Sequence, residues 1–320
     1  MRAMQVHELC KPMTLQEVPV PKPAKGEVLV KVHSCGINFG DTLIVQGKYQ
    51  EKFDLPFTPG MEICATVESL GKGVSGLSVG QRVASYSGSG GLAQFACIPA
   101  KTCVLVPDDM NDVDAAAFLV AYGTSHVGLD YRANLKAGET LLVLGASGGI
   151  GLTAVELGKM MGATVIACAR GAQKLAVAKA AGADHLIDSS TQDIREVVKS
   201  LGGADVVYDP VGGDQFKAAL RACNPEARII PLGFASGEIP QIPTNILLVK
   251  NITVVGYYWG GYAKFKPSVL IDSFKQLFAW YSEGRLKPHV SNVLPLEQAN
   301  EAIQLLVDRR ATGKVVVKID

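Results

Sequence analysis

The sequence contains no long hydrophobic run and no excess of charge of one sign. Its 320 residues include 31 Lys and Arg against 30 Asp and Glu, a formal net charge of +1. This balance gives no basis for attraction to a polyanion, so we expect no nucleic-acid partner. No stretch approaches the roughly 18 consecutive apolar residues of a membrane span, and the first residues form no apolar signal core. We therefore expect a cytoplasmic protein that does not associate with a membrane.

The seven cysteines are scattered along the chain, and no two of them have the C-x-x-C spacing. An odd, irregular set argues against a disulfide framework and against a zinc ribbon. With 48% hydrophobic and 19% charged residues, the chain can bury large cores, which excludes wholesale disorder. At about 100–200 residues per domain, the length predicts two domains.

The pattern of apolar residues changes near residue 120. Before it, short strand-like runs such as Glu27–His33 alternate with Pro and Gly, which predicts a barrel-like or sandwich-like β domain. From about 122 to 258, apolar strands alternate with helical patterns, which predicts an α/β domain with a doubly wound parallel sheet of the Rossmann type. The remaining residues include a strand pattern at Lys314–Ile319. Periodicity leaves open whether this part extends the parallel sheet or returns to the first domain.

A glycine-rich loop follows the continuous apolar run Leu141–Leu144. It reads Gly-Ala-Ser-Gly-Gly-Ile-Gly over residues 145–151 and leads into a helical pattern. Such a turn presents backbone N–H groups and the positive end of the helix dipole to a pyrophosphate. We expect Gly148 to allow close approach of the ligand and Gly151 to let the helix pack on the sheet; the alternative is a turn that only connects two elements. The candidate cofactor-binding residues of the loop are Ser147, Gly148, Gly149 and Ile150.

The residues after the next strand favour NADP(H) over NAD(H). An NAD site usually has Asp or Glu about 20 residues beyond the loop, where it accepts the ribose 2′-hydroxyl. No acidic residue occurs from Leu157 to Ala183. Arg170 and Lys174 instead fall where a 2′-phosphate would lie, and a phosphate needs donors and positive charge. For Lys174, the alternative is a solvated position on a helix face.

Segments along the whole chain resemble the medium-chain dehydrogenase/reductase superfamily, and within it the zinc-independent quinone oxidoreductases related to zeta-crystallin. Two departures from that subgroup are visible, Glu156 in place of the usual Gln and Gln81 in place of a common Asp. The segments that carry the resemblance are 35–41, 47–49, 59–62, 73–74, 80–83, 138–139, 145–151, 207–212, 233–237, 257–260 and 312–316.

The resemblance implies a specific architecture. Residues 1–120 and 261–320 would form a GroES-like β domain, and residues 121–260 a Rossmann domain that binds NADPH, with the active cleft between the two domains. In relatives, the strand that matches Asn251–Tyr257 pairs across a homodimer, so the resemblance also implies a homodimer.

The resemblance further implies a site without a metal ion. Zinc alcohol dehydrogenases of the superfamily bind catalytic zinc with Cys, His or Glu, and Cys, and the matching residues here are Asn38, Met61 and Val120. An amide, a thioether and an alkyl group do not make a zinc site of the usual kind. Without a Lewis acid, the acceptor must already be electrophilic, as quinones and α,β-unsaturated carbonyls are. The proton would come from solvent or from a side chain such as Tyr49.

The resemblance assigns further candidate residues. Asn38, Asp41 and Tyr49 are the candidate catalytic residues, and Asn38 would also contact the nicotinamide ribose or carboxamide. Each has a structural alternative: local turn hydrogen bonds for Asn38 and Asp41, and packing for Tyr49. Thr124 could instead cap a following helix. The other candidate cofactor-binding residues are Thr124, Ser189, Gly233, Phe234, Tyr258, Trp259 and Arg310.

The expected function is hydride transfer from NADPH to quinones. An enoyl or alkenal reductase would use the same chemistry on an activated C=C bond. A non-catalytic NADPH-binding sensor or structural protein is the alternative outside the enzymes. The sequence leaves the physiological acceptor open.

Overall fold

A computed structural model describes residues 1–319, which form two compact units. The first unit contains Met1–Val120 together with the chain from Phe274 onward, and the second is Ala121–Ser273. The chain rejoins the first unit at Phe274, later than the expected residue 261. The reason is aromatic packing within the second unit, where the Tyr262 ring lies 6.1 Å from the Tyr131 ring and 6.0 Å from the Tyr257 ring, measured between centroids.

The secondary structure follows the expected change of pattern. The helix α3 (Leu119–His126) continues into a π-helical segment at Val127–Arg132. The strands are β1 (Arg2–Gln5), β2 (Thr14–Glu17), β3 (Glu27–Ile37), β4 (Glu62–Leu70), β5 (Arg82–Tyr86), β6 (Phe95–Pro99), β7 (Cys103–Leu105), β8 (Thr140–Leu144), β9 (Thr164–Ala169), β10 (His185–Asp188), β11 (Ala204–Asp209), β12 (Cys223–Pro231), β13 (Thr253–Val254), β14 (Val290–Pro295) and β15 (Lys314–Lys318). The α-helices are α1 (Phe39–Ile44), α2 (Asp112–Ala116), α3 (Leu119–His126), α4 (Gly149–Met160), α5 (Ala172–Ala180), α6 (Ile194–Ser200), α7 (Gly213–Ala222), α8 (Thr244–Lys250), α9 (Tyr262–Phe265), α10 (Pro267–Ser282) and α11 (Ala299–Val307).

The first unit is built on a seven-stranded sheet with the order β14-β15-β3-β4-β5-β7, in which β6 also pairs with β3. β14 and β15 are parallel, whereas the other pairs are antiparallel. β15 pairs with the end of β3, with Val317 opposite Cys35. The last strand therefore belongs to the β unit, which decides the question that periodicity left open. Val315 and Val317 of this strand join the apolar core formed by alternate residues of β3 and β4.

The second unit contains a six-stranded parallel sheet with the order β10-β9-β8-β11-β12-β13. This is the strand order of a Rossmann sheet. All strands are parallel, but β9 and β10 are added on one side of β8 and β11 to β13 on the other, so the strand order reverses between β8 and β11. Leu141–Leu144 of β8 is fully buried, as expected for a strand covered by helices on both faces. Ligands of such sheets bind at the carboxyl ends of the strands, where the order reverses, and this edge carries the loop 145–151.

The edge of the parallel sheet differs from the expected strand Asn251–Tyr257, because only Thr253–Val254 is a strand. The chain then leaves the sheet, and the Tyr257 hydroxyl donates to the Thr124 carbonyl at 3.0 Å. The neighbouring helix α8 has no counterpart in the sequence prediction. Its apolar residues Leu248 and Val249 are 78% and 76% exposed, so the helix lacks the buried stripe that periodicity detects.

Candidate functional site

The loop after β8 has the form of a phosphate-binding turn. Gly145 has φ +60°, a conformation that favours glycine. Ala146 N–H donates to the Cys168 carbonyl at 3.0 Å, which ties the loop to the end of β9. Gly148 is the N-cap of α4, and no side chain caps the helix. The N–H groups of its first turn are therefore available to an anion or to water.

The two glycines singled out in the loop have different structural reasons. A Cβ on Gly151 would lie 2.2 Å from the Gly145 carbonyl oxygen, so the close contact of α4 with the loop requires a glycine there. A Cβ on Gly148 would approach nothing closer than that same oxygen, at 3.4 Å, and φ is −81°. The fold itself would thus accept alanine at residue 148. A ligand that approaches this backbone closely supplies a reason for glycine that packing does not.

A buried cluster of hydroxyl groups is hydrogen-bonded to the first turn of α4. Ser125 Oγ donates to the Ile150 carbonyl at 2.9 Å and lies 2.8 Å from Thr153 Oγ1 and 2.9 Å from the Tyr208 hydroxyl. Thr153 Oγ1 also lies 3.1 Å from the Ala121 carbonyl. Burial raises the pKa of Tyr208 above the range in which tyrosine ordinarily ionises, so it stays a neutral hydroxyl. The sequence gives no direct signal of this cluster, because three separate elements contribute to it.

The glutamate that departs from the subgroup pattern also serves α4. Tyr122 is buried, and its hydroxyl donates to Glu156 Oε2 at 2.6 Å. Glu156 is itself a residue of α4, so this bond ties the helix that begins at the loop to Tyr122 inside the unit.

The two basic candidates flank the turn between β9 and α5. Arg170 directly follows β9 and is exposed, and Lys174 lies in the first turn of α5 and is half-buried. Gly171, the N-cap of α5, has φ +81° and no side chain to cap the helix. Ser189 lies beside this turn, since its N–H donates to the Ala169 carbonyl at 3.0 Å. The structure thus brings Arg170, Lys174 and Ser189 to the same edge as the loop.

A buried aspartate at this edge was not among the expected site residues. Asp209 ends β11, and its Oδ1 accepts the N–H groups of Val211 at 2.7 Å and Gly212 at 2.9 Å. Burial raises the pKa of Asp209, and these two N–H groups oppose the rise. The turn that it shapes borders the loop, since a Cβ on Gly145 would lie 3.0 Å from the Val211 side chain. The sequence signal for a residue that shapes the turn after a strand is an acidic residue at the end of a buried strand, as Asp209 is at the end of β11.

The remaining candidates of the second unit differ in exposure. Phe234, after β12, is 39% exposed, whereas Trp259 is buried. Tyr258 is 42% exposed. Gly233 packs against the Pro210 backbone, since a Cβ on Gly233 would lie 3.3 Å from the Pro210 carbonyl oxygen. Thr124 is inside α3, so it does not cap a helix, and its carbonyl accepts from Tyr257.

In the first unit, Asn38 is held by a buried ion pair that the sequence analysis did not identify. Lys314 Nζ donates to Glu62 Oε2 at 3.0 Å and to Asn38 Oδ1 at 2.6 Å, and both charged side chains are almost fully buried. Asn38 Nδ2 donates to Glu62 Oε2 at 3.1 Å and to the Gly36 carbonyl at 3.2 Å. Glu62 Oε1 accepts the Val120 N–H at 2.8 Å. Both amide hydrogens of Asn38 therefore have internal acceptors, and only its Oδ1 retains capacity for one more donor.

Asp41 extends this buried cluster. Its Oδ2 accepts the Asn38 N–H at 2.8 Å and its Oδ1 accepts the Met61 N–H at 3.2 Å. Burial raises the pKa of Asp41 to about 6, although both N–H groups and Lys314 act in the opposite direction. Burial also raises the pKa of the Cys35 thiol, to which the Asp41 and Glu62 charges add. The local turn bonding that was the alternative for Asp41 is thus present in the structure.

Tyr49 and Arg310 lie elsewhere in the first unit. A Cβ on Gly40 would lie 3.2 Å from the Tyr49 ring, so this half-buried ring packs beside α1. Arg310 is exposed, and its Nε lies 3.3 Å from Asp308 Oδ2.

The comparisons with known proteins agree with both units. A family model described as the alcohol dehydrogenase GroES-like domain matches residues 24–108, and one described as zinc-binding dehydrogenase matches residues 149–277. The quinone oxidoreductase-like protein 2 homolog of Nematostella vectensis is 42% identical over 323 residues, which covers 99% of this chain and 88% of that protein.

Two solved structures are similar over nearly the whole chain. The crystal structure of Escherichia coli quinone oxidoreductase complexed with NADPH superposes with a TM-score of 0.94 at 28% identity and covers 99% of this chain and 100% of that one. The quinone oxidoreductase of Thermus thermophilus, solved alone and with NADPH, gives a TM-score of 0.86 at 30% identity, with the same coverage. A GroES-like unit and a Rossmann unit in one chain define an oxidoreductase class. The chain belongs to the medium-chain dehydrogenase/reductase superfamily, as one of its quinone oxidoreductase-like proteins.

The residues at the expected zinc positions do not fit that ion. Asn38 Oδ1 accepts from an ammonium group, and Met61 and Val120 supply a thioether and an alkyl group. The buried Lys314 ammonium already balances Glu62, so a divalent cation here would be repelled. Within residues 1–319, no three His, Cys, Asp or Glu side chains are arranged to hold a metal ion.

No helix within residues 1–319 has both the length and the apolar character needed to cross a bilayer.

Proposed function

We propose that this oxidoreductase transfers a hydride from NADPH to a quinone. The observation that carries the proposal is the uncapped, glycine-rich start of α4 beside the basic end of β9. The first feature suits a pyrophosphate, and the second, with Arg170 and Lys174, suits a 2′-phosphate. Support comes from the similar quinone oxidoreductases of E. coli and T. thermophilus, whose structures contain NADPH.

Each group has a defined task in this proposal. When bound, NADPH supplies a hydride from C4 of its nicotinamide. The loop 145–151 binds and orients the pyrophosphate, and the quinone takes up the hydride together with one proton to give the hydroquinone. The proton comes from solvent or from the Tyr49 hydroxyl. The site needs no Lewis acid, because the quinone carbon–oxygen system is itself electrophilic.

Asn38 and Asp41 act in this scheme by fixing the backbone and the amide at the start of α1. Because both Asn38 amide hydrogens have internal acceptors, the side chain offers a ligand only the remaining lone pair of Oδ1. We therefore expect Asn38 to accept from the ribose or the carboxamide of the cofactor rather than to donate to it.

The direct experiment is NADPH oxidation with a panel of acceptors. The panel contains 1,4-benzoquinone, 9,10-phenanthrenequinone, 2-alkenals and enoyl-CoA thioesters. The proposal predicts turnover with the quinones, and loss of turnover in Gly148→Asp, whose carboxylate would meet the pyrophosphate. Turnover confined to the alkenals or thioesters would instead identify an activated C=C reductase. Tight NADPH binding without turnover of any acceptor would identify a non-catalytic binding protein.

We also propose that the chain is a homodimer through the edge of the parallel sheet. β13 is the last strand of the sheet order, and α8 beside it exposes Leu248 and Val249. A second copy of this chain would cover these apolar side chains and continue the sheet across the two-fold axis. Light scattering after size exclusion is expected to give twice the monomer mass of 33.8 kDa, and Leu248→Asp to reduce it to the monomer. A wild-type monomer at micromolar concentration would refute this assignment.

A further inference from the structure

A carboxylate lies beside the basic turn that follows β9. Asp188, the last residue of β10, pairs in register with Ala169, the last residue of β9. Arg170 therefore follows the direct strand partner of Asp188. Residues 157–183 contain no acidic residue. The pairing of β10 with β9 nevertheless places the Asp188 carboxylate near Arg170, a proximity that sequence spacing does not reveal.

The Asp188 carboxylate holds two turns together. Its Oδ1 accepts the Gly171 N–H at 3.1 Å, at the N-cap of α5. The same oxygen accepts the Ser190 N–H at 3.0 Å and the Ser190 hydroxyl at 2.6 Å. These bonds to Ser190, the Gly171 N–H and the Arg170 charge lower the pKa of Asp188, so the carboxylate is ionised at neutral pH.

We propose that Asp188 is a specificity-determining residue that limits the preference for NADPH over NADH. This inference rests on the proposed function, since it requires the 2′-phosphate to lie at Arg170 and Lys174. One negative charge at the end of β10 offsets part of the positive charge offered by those two side chains. A 2′-phosphate experiences this repulsion, whereas the neutral 2′-hydroxyl of NADH does not.

The variant Asp188→Asn separates the charge from the scaffold. The asparagine Oδ1 can still accept from Gly171 and Ser190, so both turns keep their bonds while the charge is removed. Asp184→Asn is a matched control in the same unit. Asp184 also accepts a backbone N–H, from Val165 at 2.9 Å, but it precedes β10 and so lies at the opposite end of that strand.

The experiment measures equilibrium binding of 2′,5′-ADP, 5′-AMP, NADPH and NADH to the three full-length proteins by calorimetry. We expect Asp188→Asn to bind 2′,5′-ADP and NADPH about fivefold more tightly, as the removal of one nearby like charge predicts. Binding of 5′-AMP and NADH should change by less than about twofold, and Asp184→Asn should leave all four constants unchanged. Thermal unfolding of each variant checks that the fold is retained.

Failure of this inference is distinguishable from failure of the proposed function. If wild type prefers 2′,5′-ADP to 5′-AMP but Asp188→Asn does not increase that preference, Asp188 does not determine specificity. An equal change for all four ligands would assign Asp188 a purely structural role and overturn the inference in the same way. If wild type binds no 2′,5′-ADP and no NADPH, the proposed function itself is wrong, and the inference falls with it.

Discussion

The buried ion pair of the first unit makes a quantitative prediction about Lys314→Met. The change leaves the Glu62 carboxylate fully buried, with only the Asn38 amide and the Val120 N–H as donors. Removal of one partner of a buried pair typically costs about 3–5 kcal/mol. We therefore expect the first unit to lose about 3–5 kcal/mol of stability.

The two tryptophans allow each unit to be followed separately. Trp259 belongs to the second unit and Trp280 to the first, so in a Trp259→Phe background the remaining fluorescence reports the unit that contains the ion pair. Urea unfolding of this background, with and without Lys314→Met, gives the difference in free energy from the shift in midpoint. A loss below about 1 kcal/mol would refute the claim that the pair is buried and coupled.

The double variant Lys314→Met with Glu62→Gln is the matched control for charge. It removes both ions, and the glutamine can still accept from the Val120 N–H and bond to the Asn38 amide. Because replacement of both partners of a buried pair is often near neutral, the double variant should recover most of the lost stability. A double variant that is less stable than Lys314→Met alone would contradict this reasoning.

Two further predictions concern the loop and Asp41. Gly151→Ala should destabilise the second unit by about 1–3 kcal/mol, because its Cβ would lie 2.2 Å from a backbone oxygen. Gly148→Ala should leave thermal unfolding unchanged but weaken NADPH binding at least about tenfold, and equal effects of the two variants on unfolding would contradict the assignment. The pKa of Asp41 is raised from 3.8 to about 6 by burial, so the folded state binds its proton more tightly than the unfolded state does. The stability that this provides is present below pH 4 and is lost as the pH rises towards 6, by about 3 kcal/mol in total. Urea titrations from pH 4 to 7 should show this slope reduced in Asp41→Asn, and an unchanged slope would assign it to another group.

Local sequence patterns predicted the strand–loop–helix unit of the proposed cofactor site well. The run Leu141–Leu144, the loop and the helical pattern after it are contiguous, and β8 and α4 form at these residues. In these segments one local pattern determines both the element and its burial. The superfamily and the two-unit architecture were likewise identified from motifs along the chain.

The groups that sequence reasoning missed depend on long-range pairing. Lys314 and Glu62 are 252 residues apart and meet only because β15 and β4 both flank β3. Asp188 reaches the basic turn through the β9–β10 register, and no spacing along the chain predicts that contact. A charged residue directly before an apolar run, such as Glu62 before residues 63–65 at the start of β4, is the available sequence signal, but it does not identify its partner.

We propose that the loop and the basic end of β9 together bind a nucleotide with a 2′-phosphate. The ratio of the NADH to the NADPH dissociation constant, measured for wild type and for Arg170→Ala, tests this most directly. We predict that wild type binds NADPH at least about tenfold more tightly than NADH, and that Arg170→Ala loses most of this difference while NADH binding is retained. Equal or weaker binding of NADPH by wild type would contradict the claim.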